Sequence, residues 1–287
     1  MKTLATLVVV ALTACNTFAL PPRSSSRGTL PGLTASASIM LNSYDYKEDF
    51  PPPGKSSESG WLFGMALRYT YKGGVELPLY GRLHFDFSPS GTEYGSNEEL
   101  GLGIMRDYTE TSSNWFSRLE FDGGYTFHRI FGSSLNVTPY TGYGYRFWRR
   151  EISNHGNLLG YLEDYSWGYI PVGVVADLPF AGNWSVGLEM ALRIMVTGSI
   201  YIALEQFRNP TLSLGNRLGW FTSVPVEYTT DSGWGAGFTA WYEYSAIGQS
   251  EQSPTIVVGQ QQGAIYEPPS RTHQFGFLFT GTYRFSL

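Results

Sequence analysis

This chain has one cysteine, four histidines and few charged residues. Cys15 is its only thiol among 287 residues, so the body that follows it can form neither an internal disulfide nor a cysteine-built metal site. Charged side chains make up 15%, against about 25% in a typical soluble domain. Acids outnumber bases by 24 to 19, which excludes the basic footprint of a nucleic-acid-binding protein. Beyond the N-terminal segment no apolar run approaches the roughly 20 residues of a spanning helix. "GYGYRF" and "GVVADL" hold glycine but do not lead from a strand into a helix, so no phosphate loop is present. What is abundant is aromatic and small: Phe 18, Tyr 20, Trp 8 and Gly 34, at a mean hydropathy of −0.16.

The start of the chain sets a compartment. Lys2 followed by "LATLVVVALTA" has the charged opening and short apolar stretch of a secretory signal peptide over residues 1–19. Cleavage after Ala19 fits the small residues of "TFA". Cleavage after Ala14 is the alternative, because "LTAC" resembles a bacterial lipoprotein box and would leave Cys15 lipidated. Removing residues 1–15 takes away Lys2 and no acid, so the formal charge moves from −5 to −6. A Pro/Ser-rich leader over 20–32 precedes the folded body, which is expected to be one barrel domain over 33–287.

From there the apolar residues recur every second position, a period that only an extended strand has. Trp61, Phe63, Met65, Leu67, Tyr69 and Tyr71 share one face, opposite Ala66, Arg68 and Thr70. Val75, Leu77, Leu79, Leu83, Phe85 and Phe87 oppose Glu76, Tyr80, Arg82, His84 and Asp86; Trp115, Leu119, Phe121, Tyr125 and Phe127 oppose Arg118, Glu120, Asp122 and Thr126. The pattern returns in 184–194, 218–228 and 234–244 and closes on "FGFLFTGTYRFSL". Segments of about ten alternating residues with aromatics near both ends of the apolar face are the signature of a transmembrane β-barrel. An open edge in lipid would strand backbone groups at several kcal/mol each, so the strands must close into a ring.

Short links fall at 72–74, near Gly132-Ser133, at 180–183 and at 230–233; long links fall at 47–60, 88–114, 149–164, 198–216 and 248–272. Short and long alternate if "ELGLGIMRDY" belongs to a hairpin beyond the membrane. The expected fold is therefore all-β, an antiparallel up-and-down barrel of ten strands, with twelve if that segment spans. "TIVV" is expected to add a small strand inside the last long link. The C-terminal strand resembles the closing strand of bacterial outer-membrane proteins, and "TPYTGYGYRFWRR" with "YSWGYIPVGV" resembles strands of an uncharacterised outer-membrane barrel family. The resemblance implies a bacterial outer-membrane location, and ten strands with the short links on the periplasmic side are expected to leave both termini periplasmic. It also implies contact with lipid and lipopolysaccharide, and insertion by the barrel-assembly machinery through the last strand.

Function must then come from the inward face. The alternation directs Arg68, Arg82, Arg118, Arg146, Arg193 and Arg284 inward, together with Glu76, Asp86, Glu120, Asp122, Glu189, Glu227 and Glu243. Six bases against seven acids is near balance, and the interior of a ten-strand barrel is little wider than one filled by its own side chains. These charges are expected to pair across the lumen and plug it, leaving a structural or surface-interaction role to the long loops. A narrow channel for small polar solutes is the alternative. A rim hydrolase is a third reading. His84 and Asp86 form a His–carboxylate pair at the expected external end of their strand, where the ten-stranded omptin proteases hold acidic and His groups. No second Asp–His pair stands on the opposite wall, and no omptin-like local motif occurs. His155, in "EISNHGNLLG", is similar to the loop histidine of a lipase-like outer-membrane hydrolase or deacylase, but no serine stands at a telling spacing from it; His128 and His273 fall near barrel ends. No metal site and no cofactor is indicated.

Overall fold

The computed structural model describes residues 31–99, 105–156, 158–203, 209–258 and 261–286. Ten long antiparallel strands form a closed ring: β1 (Gly32–Glu48), β2 (Ser56–Lys72), β3 (Leu79–Glu99), β4 (Met105–Tyr125), β5 (Asn136–Ile152), β6 (Leu162–Ala181), β7 (Trp184–Ala203), β9 (Leu218–Thr229), β10 (Trp234–Ile247) and β13 (Ser270–Ser286). Each pairs with its sequence neighbour, and β1 closes the ring on β13 from Gly32↔Ser286 to Glu48↔Ser270. Short β8 (Thr211–Ser213) is appended to β7; β11 (Ser253–Val258) and β12 (Gln261–Ile265) make a separate hairpin that contains "TIVV".

The ring is closed because its outer face leaves no better alternative. Ile39 (71% exposed), Phe63 (62%), Phe121 (63%) and Phe279 (55%) point away from the lumen. Together with their neighbours they make an apolar belt far larger than a water-soluble monomer leaves uncovered. Aromatic pairs border the belt on both sides. Trp184–Tyr228 and Trp234–Tyr283 lie at one end, with ring centroids 5.1 and 4.9 Å apart, and Phe87–Trp115 and Trp220–Tyr242 at the other, at 6.2 and 4.8 Å. Between Trp115 and Tyr125 the chain covers close to the roughly 9–11 residues that a tilted strand needs to cross a bilayer.

The end holding the short links is called here the turn end. Tight turns are supplied where they are needed: Gly182 (φ 58°) and Gly233 (φ 91°) take left-handed backbone that other residues adopt at a cost. At the other, loop end the strands do not stop at the belt. β3 and β4 run in continuous register from Leu79↔Tyr125 to Glu99↔Met105, so most of the expected 88–114 link is wall. "ELGLGIMRDY" is thus part of a hairpin beyond the belt, with residues 100–104 outside the described set, and the count is ten. The same correction applies to 47–60, 149–164 and 248–272, whose ends are strand. Beyond the belt both faces of these strands are polar enough that the alternation loses contrast, while backbone pairing continues without it.

Candidate functional site

Inside the ring, at the depth of the apolar belt, four guanidiniums (Arg82, Arg118, Arg146, Arg193) meet five carboxylates (Asp86, Glu120, Asp122, Glu189, Glu243). Arg82 donates to Asp122 at 2.7 Å, to Glu189 at 2.7 Å and to Glu120 at 3.3 Å. Arg118 donates through Nε to Asp86 at 2.6 Å and through Nη1 to Glu243 at 3.2 Å; Arg193 and Arg146 also reach Glu243. Two tyrosines complete the set, Tyr140 on Glu189 (2.6 Å) and Tyr169 on Glu120 (2.5 Å).

The glycines of the β5 and β6 motifs now have a physical role. Tyr169 opposes Gly144 and Tyr140 opposes Gly173 across the β5–β6 ladder. A Cβ on Gly144 would lie 2.1 Å from Tyr169 Cζ, and one on Gly173 would lie 2.6 Å from Tyr140 Cζ. Each ring crosses a bare stretch of backbone to bring its hydroxyl to a carboxylate. A buried network of this kind is stable only when its members are satisfied.

Above these charges lies a chamber of about 50 Å³. Its floor is formed by Asp86, Arg118, Arg146 and Glu243 and its roof by Leu62, Phe116, Trp148 and Ile247. Asn42 and Trp241 also line it. Both are buried, and Asn42 Oδ1 and Trp241 Nε1 have no partner among the described residues.

The roof belongs to a second layer, which lies beyond the belt: the outward neighbours here are polar, Asp45 and Lys47 on β1 and the Arg149–Asp164 pair (2.7 and 2.8 Å) on β5 and β6. Trp148 stacks between Phe116 (5.3 Å) and Tyr165 (4.6 Å) and meets Tyr46 edge-on at 5.0 Å. Above it is Arg150, fully buried, which donates to Glu58 (2.7 Å), Glu48 (3.0 Å) and Glu163 (2.9 Å). Asn114 and Thr92 bond to the other oxygen of Glu58, and Asn114 accepts from Trp148 Nε1 at 2.6 Å. Glu267, from the link between β12 and β13, is 4% exposed and sits beside them. Burial pushes Glu163 up to about 7 against the pull of Arg150, and burial followed by the nearby Glu48 and Glu163 raises Glu267 well above the usual carboxylate range.

Sequence reading missed this second layer because its charged members, Glu48, Glu58, Arg150, Glu163 and Glu267, fell in segments read as links. Phase was the available signal, since Tyr44, Tyr46 and Glu48 continue the inward positions of β1, as Trp148 and Arg150 continue those of β5.

The sequence candidates are distributed as follows. Arg82, Asp86, Arg118, Glu120, Asp122, Arg146, Glu189, Arg193 and Glu243 come together as described. Arg68, Glu227 and Arg284 face inward near the turn end, outside that knot, and Arg68 has no ion-pair partner among the described residues. Glu76 does not face the lumen: β3 begins only at Leu79, which leaves Glu76 exposed in the turn. His84 and Asp86 are in contact at 2.8 Å, but they are not at a rim. β3 runs on to Glu99, so both are buried at mid-depth, with Arg118 on the pair and the second layer above. His155 is not a free loop residue, since it bonds Glu110 at 2.6 Å and stacks on Tyr108 at 4.3 Å. His128 contacts Asn136 at the turn end, and His273 bonds Tyr242 in the loop-end aromatic border. Cys15 lies outside the described residues. No cluster of metal-ligating side chains occurs among the described residues.

A closed antiparallel ring with an apolar outer belt, aromatic borders and a polar interior is the fold of bacterial outer-membrane β-barrel proteins. The outer-membrane protease OmpT from Escherichia coli has this fold: it matches at a TM-score of 0.60 and 8% identity over 94% of this chain and 100% of that one. Looser matches are OprG from Pseudomonas aeruginosa (TM-score 0.40, 9% identity, 90% and 98% covered) and a major outer-membrane protein from Thermus thermophilus (0.38, 13%, 86% and 99%). At such identities the likeness is one of fold alone. No protein-family model matches the chain, and no curated protein does.

Proposed function

We propose that this chain is an integral outer-membrane protein whose lumen is closed by its own side chains and whose role, structural or in surface interaction, is carried by the loop-end wall and its links. The turn end and both termini face the periplasm in this reading, the loop end faces the exterior, and residues 1–19 direct export. The last strand serves the barrel-assembly machinery, and the outer belt meets lipid and lipopolysaccharide.

The supporting observation is that the lumen is crossed twice. The Arg82, Arg118 and Arg193 network fills it at mid-depth, and the Trp148 and Arg150 layer fills it again beyond the belt. A path for solutes would have to break both. Fold likeness to a protease does not alter this, because His84 and Asp86 are enclosed between the layers.

The test is single-channel conductance of the refolded mature chain in a planar bilayer, with heat-modifiable electrophoretic mobility as proof of folding. A folded chain that adds no steady current is expected. A steady current that changes in Arg118→Ala would overturn the plug. The chamber favours a second reading, a narrow channel for small polar solutes, since Asn42 and Trp241 present to it polar atoms without a partner among the described residues. In that case current appears in the wild type and falls when Asn42→Leu fills the chamber.

A further inference from the structure

At the loop end, two tyrosines from opposite walls converge on one carboxylate. Tyr46 on β1 and Tyr165 on β6 are five places apart in the ring, and their hydroxyls lie 3.3 and 2.9 Å from Glu267 Oε1. The same hydroxyls lie 3.0 Å from Glu48 Oε1 and 3.2 Å from Glu163 Oε2. A tyrosine hydroxyl has one hydrogen and an ionised carboxylate has none. Two hydrogens therefore face four oxygen–oxygen contacts, and the geometry is short of protons.

The local charges show the same deficit. Arg150 gives Nε to Glu58 and Nη1 to Glu48 and Glu163, so that among the described residues Glu267 has no cation and Arg150 Nη2 has no acceptor. If Glu48, Glu58, Glu163 and Glu267 were all ionised, this buried group would hold four negative charges against one positive. Such an imbalance is costly away from water.

We propose that this cluster is a proton-binding site, and that the bound proton on Glu267 latches the base of the 248–269 segment to the barrel rim. A proton from the external water adds to Glu267 Oε1. The neutral carboxyl then donates to the Tyr46 oxygen, Tyr46 donates to Glu48, and Tyr165 donates to Glu267 or Glu163. No other bond is made or broken. The titratable groups facing Glu267 are Tyr46 and Glu48 from β1, Arg150 from β5, and Glu163 and Tyr165 from β6. Arg150 also holds Glu58, and Tyr44 and Tyr161 lie near Arg150, Glu48 and Glu163. Burial, with the charges of Glu48 and Glu163, raises Glu267 above the usual carboxylate range.

The latch has a defined mechanical load. Glu267 N donates to Ser250 Oγ at 2.7 Å, and Ser250 N donates to the Glu267 carbonyl at 2.9 Å, pinching the base from which β11 and β12 project. Asp49 N donates to the Pro269 carbonyl at 2.7 Å, tying the same base to β1. Loss of the proton sets an ionised Glu267 against Glu48 and Glu163, and the base is released from the rim. This holds whether or not the barrel conducts.

The experiment is amide hydrogen exchange, read peptide by peptide, on the refolded full-length mature chain in lipid vesicles between pH 6 and 9, corrected for the intrinsic rate. In the wild type, protection of the amides of Asp49, Ser250 and Glu267 is expected to fall by up to about tenfold for each pH unit above the site's midpoint, while β2–β4 amides within the belt stay protected. Glu267→Gln, which keeps a neutral donor in place, is expected to hold that protection across the range. Equal wild-type protection at pH 6 and 9 overturns the proposal, as does a Glu267→Gln chain that loses protection as steeply as the wild type. If that variant does not fold, the wild-type profile alone decides.

Discussion

Arg118 on β4 and Glu243 on β10 lie five strands apart in the ring of ten, and their side chains meet across the lumen at 3.2 Å. The pair spans the full width of the barrel, so opposite walls are tied to each other and not only to their neighbours. Glu243 is also held by Arg146 and Arg193, whereas Asp86 depends on Arg118 and His84. Removing Arg118 therefore leaves Asp86 as a buried charge without a guanidinium. Arg118→Ala is expected to destabilise the barrel by about 3–5 kcal/mol, measured as a lower urea midpoint for loss of the heat-modifiable band. An unchanged midpoint would mean that the pairing is not what closes the lumen.

Asn42 supplies a test of what occupies the chamber. Its Oδ1 is buried without a partner among the described residues, in a space of about 50 Å³, enough for a few waters at roughly 10–15 Å³ each. A water-filled chamber satisfies the amide, so Asn42→Leu should lose those bonds and cost about 1–3 kcal/mol. A dry chamber leaves the amide unsatisfied, and the leucine would stabilise. Destabilisation is expected, and the sign of the change in urea midpoint separates the two states.

Gly144 should tolerate nothing larger. A methyl group there would overlap the Tyr169 ring at 2.1 Å, and the ring cannot move without withdrawing its hydroxyl from Glu120, 2.5 Å away. Gly144→Ala is expected to cost about 1–3 kcal/mol. Tyr169→Phe, which removes the hydroxyl and keeps the ring, should cost about 1–3 kcal/mol through the unsatisfied carboxylate. If the two losses are not additive in the double variant, the glycine acts through the tyrosine.

These sites differ in how far they could be read from the chain alone. The belt was legible because lipid on one side and charge on the other give maximum contrast at period two, as in Trp61 to Tyr71 and Phe275 to Phe285. The inward charges followed from the same phase. Depth was not legible: His84 and Asp86 look like rim residues if β3 ends at Ser88, and become mid-lumen residues once the strand is followed to Glu99. The second layer was hidden for the same reason. Outward Ser57, Ser59, Glu93 and Thr109 are as polar as many inward neighbours, so the period vanishes where the membrane ends although the backbone ladder does not. Glu76 fails in the opposite direction. Its phase is right, but three residues of turn precede the first ladder pair of β3.

The second layer should also give the whole barrel a pH-dependent stability, separate from the loop base. Glu163 lies beyond the belt, wholly buried beside Arg150 and Glu48, and burial pushes it up to about 7. Unfolded, it would titrate near the ordinary glutamate value of about 4.3. Because the folded value is the higher one, the folded chain binds the extra proton, and the stabilisation is complete below the unfolded value and disappears as pH rises through about 7. One proton corresponds to about 1.4 kcal/mol per pH unit where only the folded state is protonated. The Glu163 contribution to the urea midpoint is therefore expected to decline from pH 5 to pH 7 and then to level off as Glu163 ionises in both states, leaving above pH 7 only the slope that the Glu267 proton adds. Glu163→Gln, which cannot ionise and still presents a carbonyl to Arg150 Nη1, should flatten that decline and leave the variant more stable than the wild type at pH 8. A Glu163→Gln chain with the wild-type slope would place the titrating group elsewhere in the layer, and Glu267→Gln measured in the same way would then be expected to remove it.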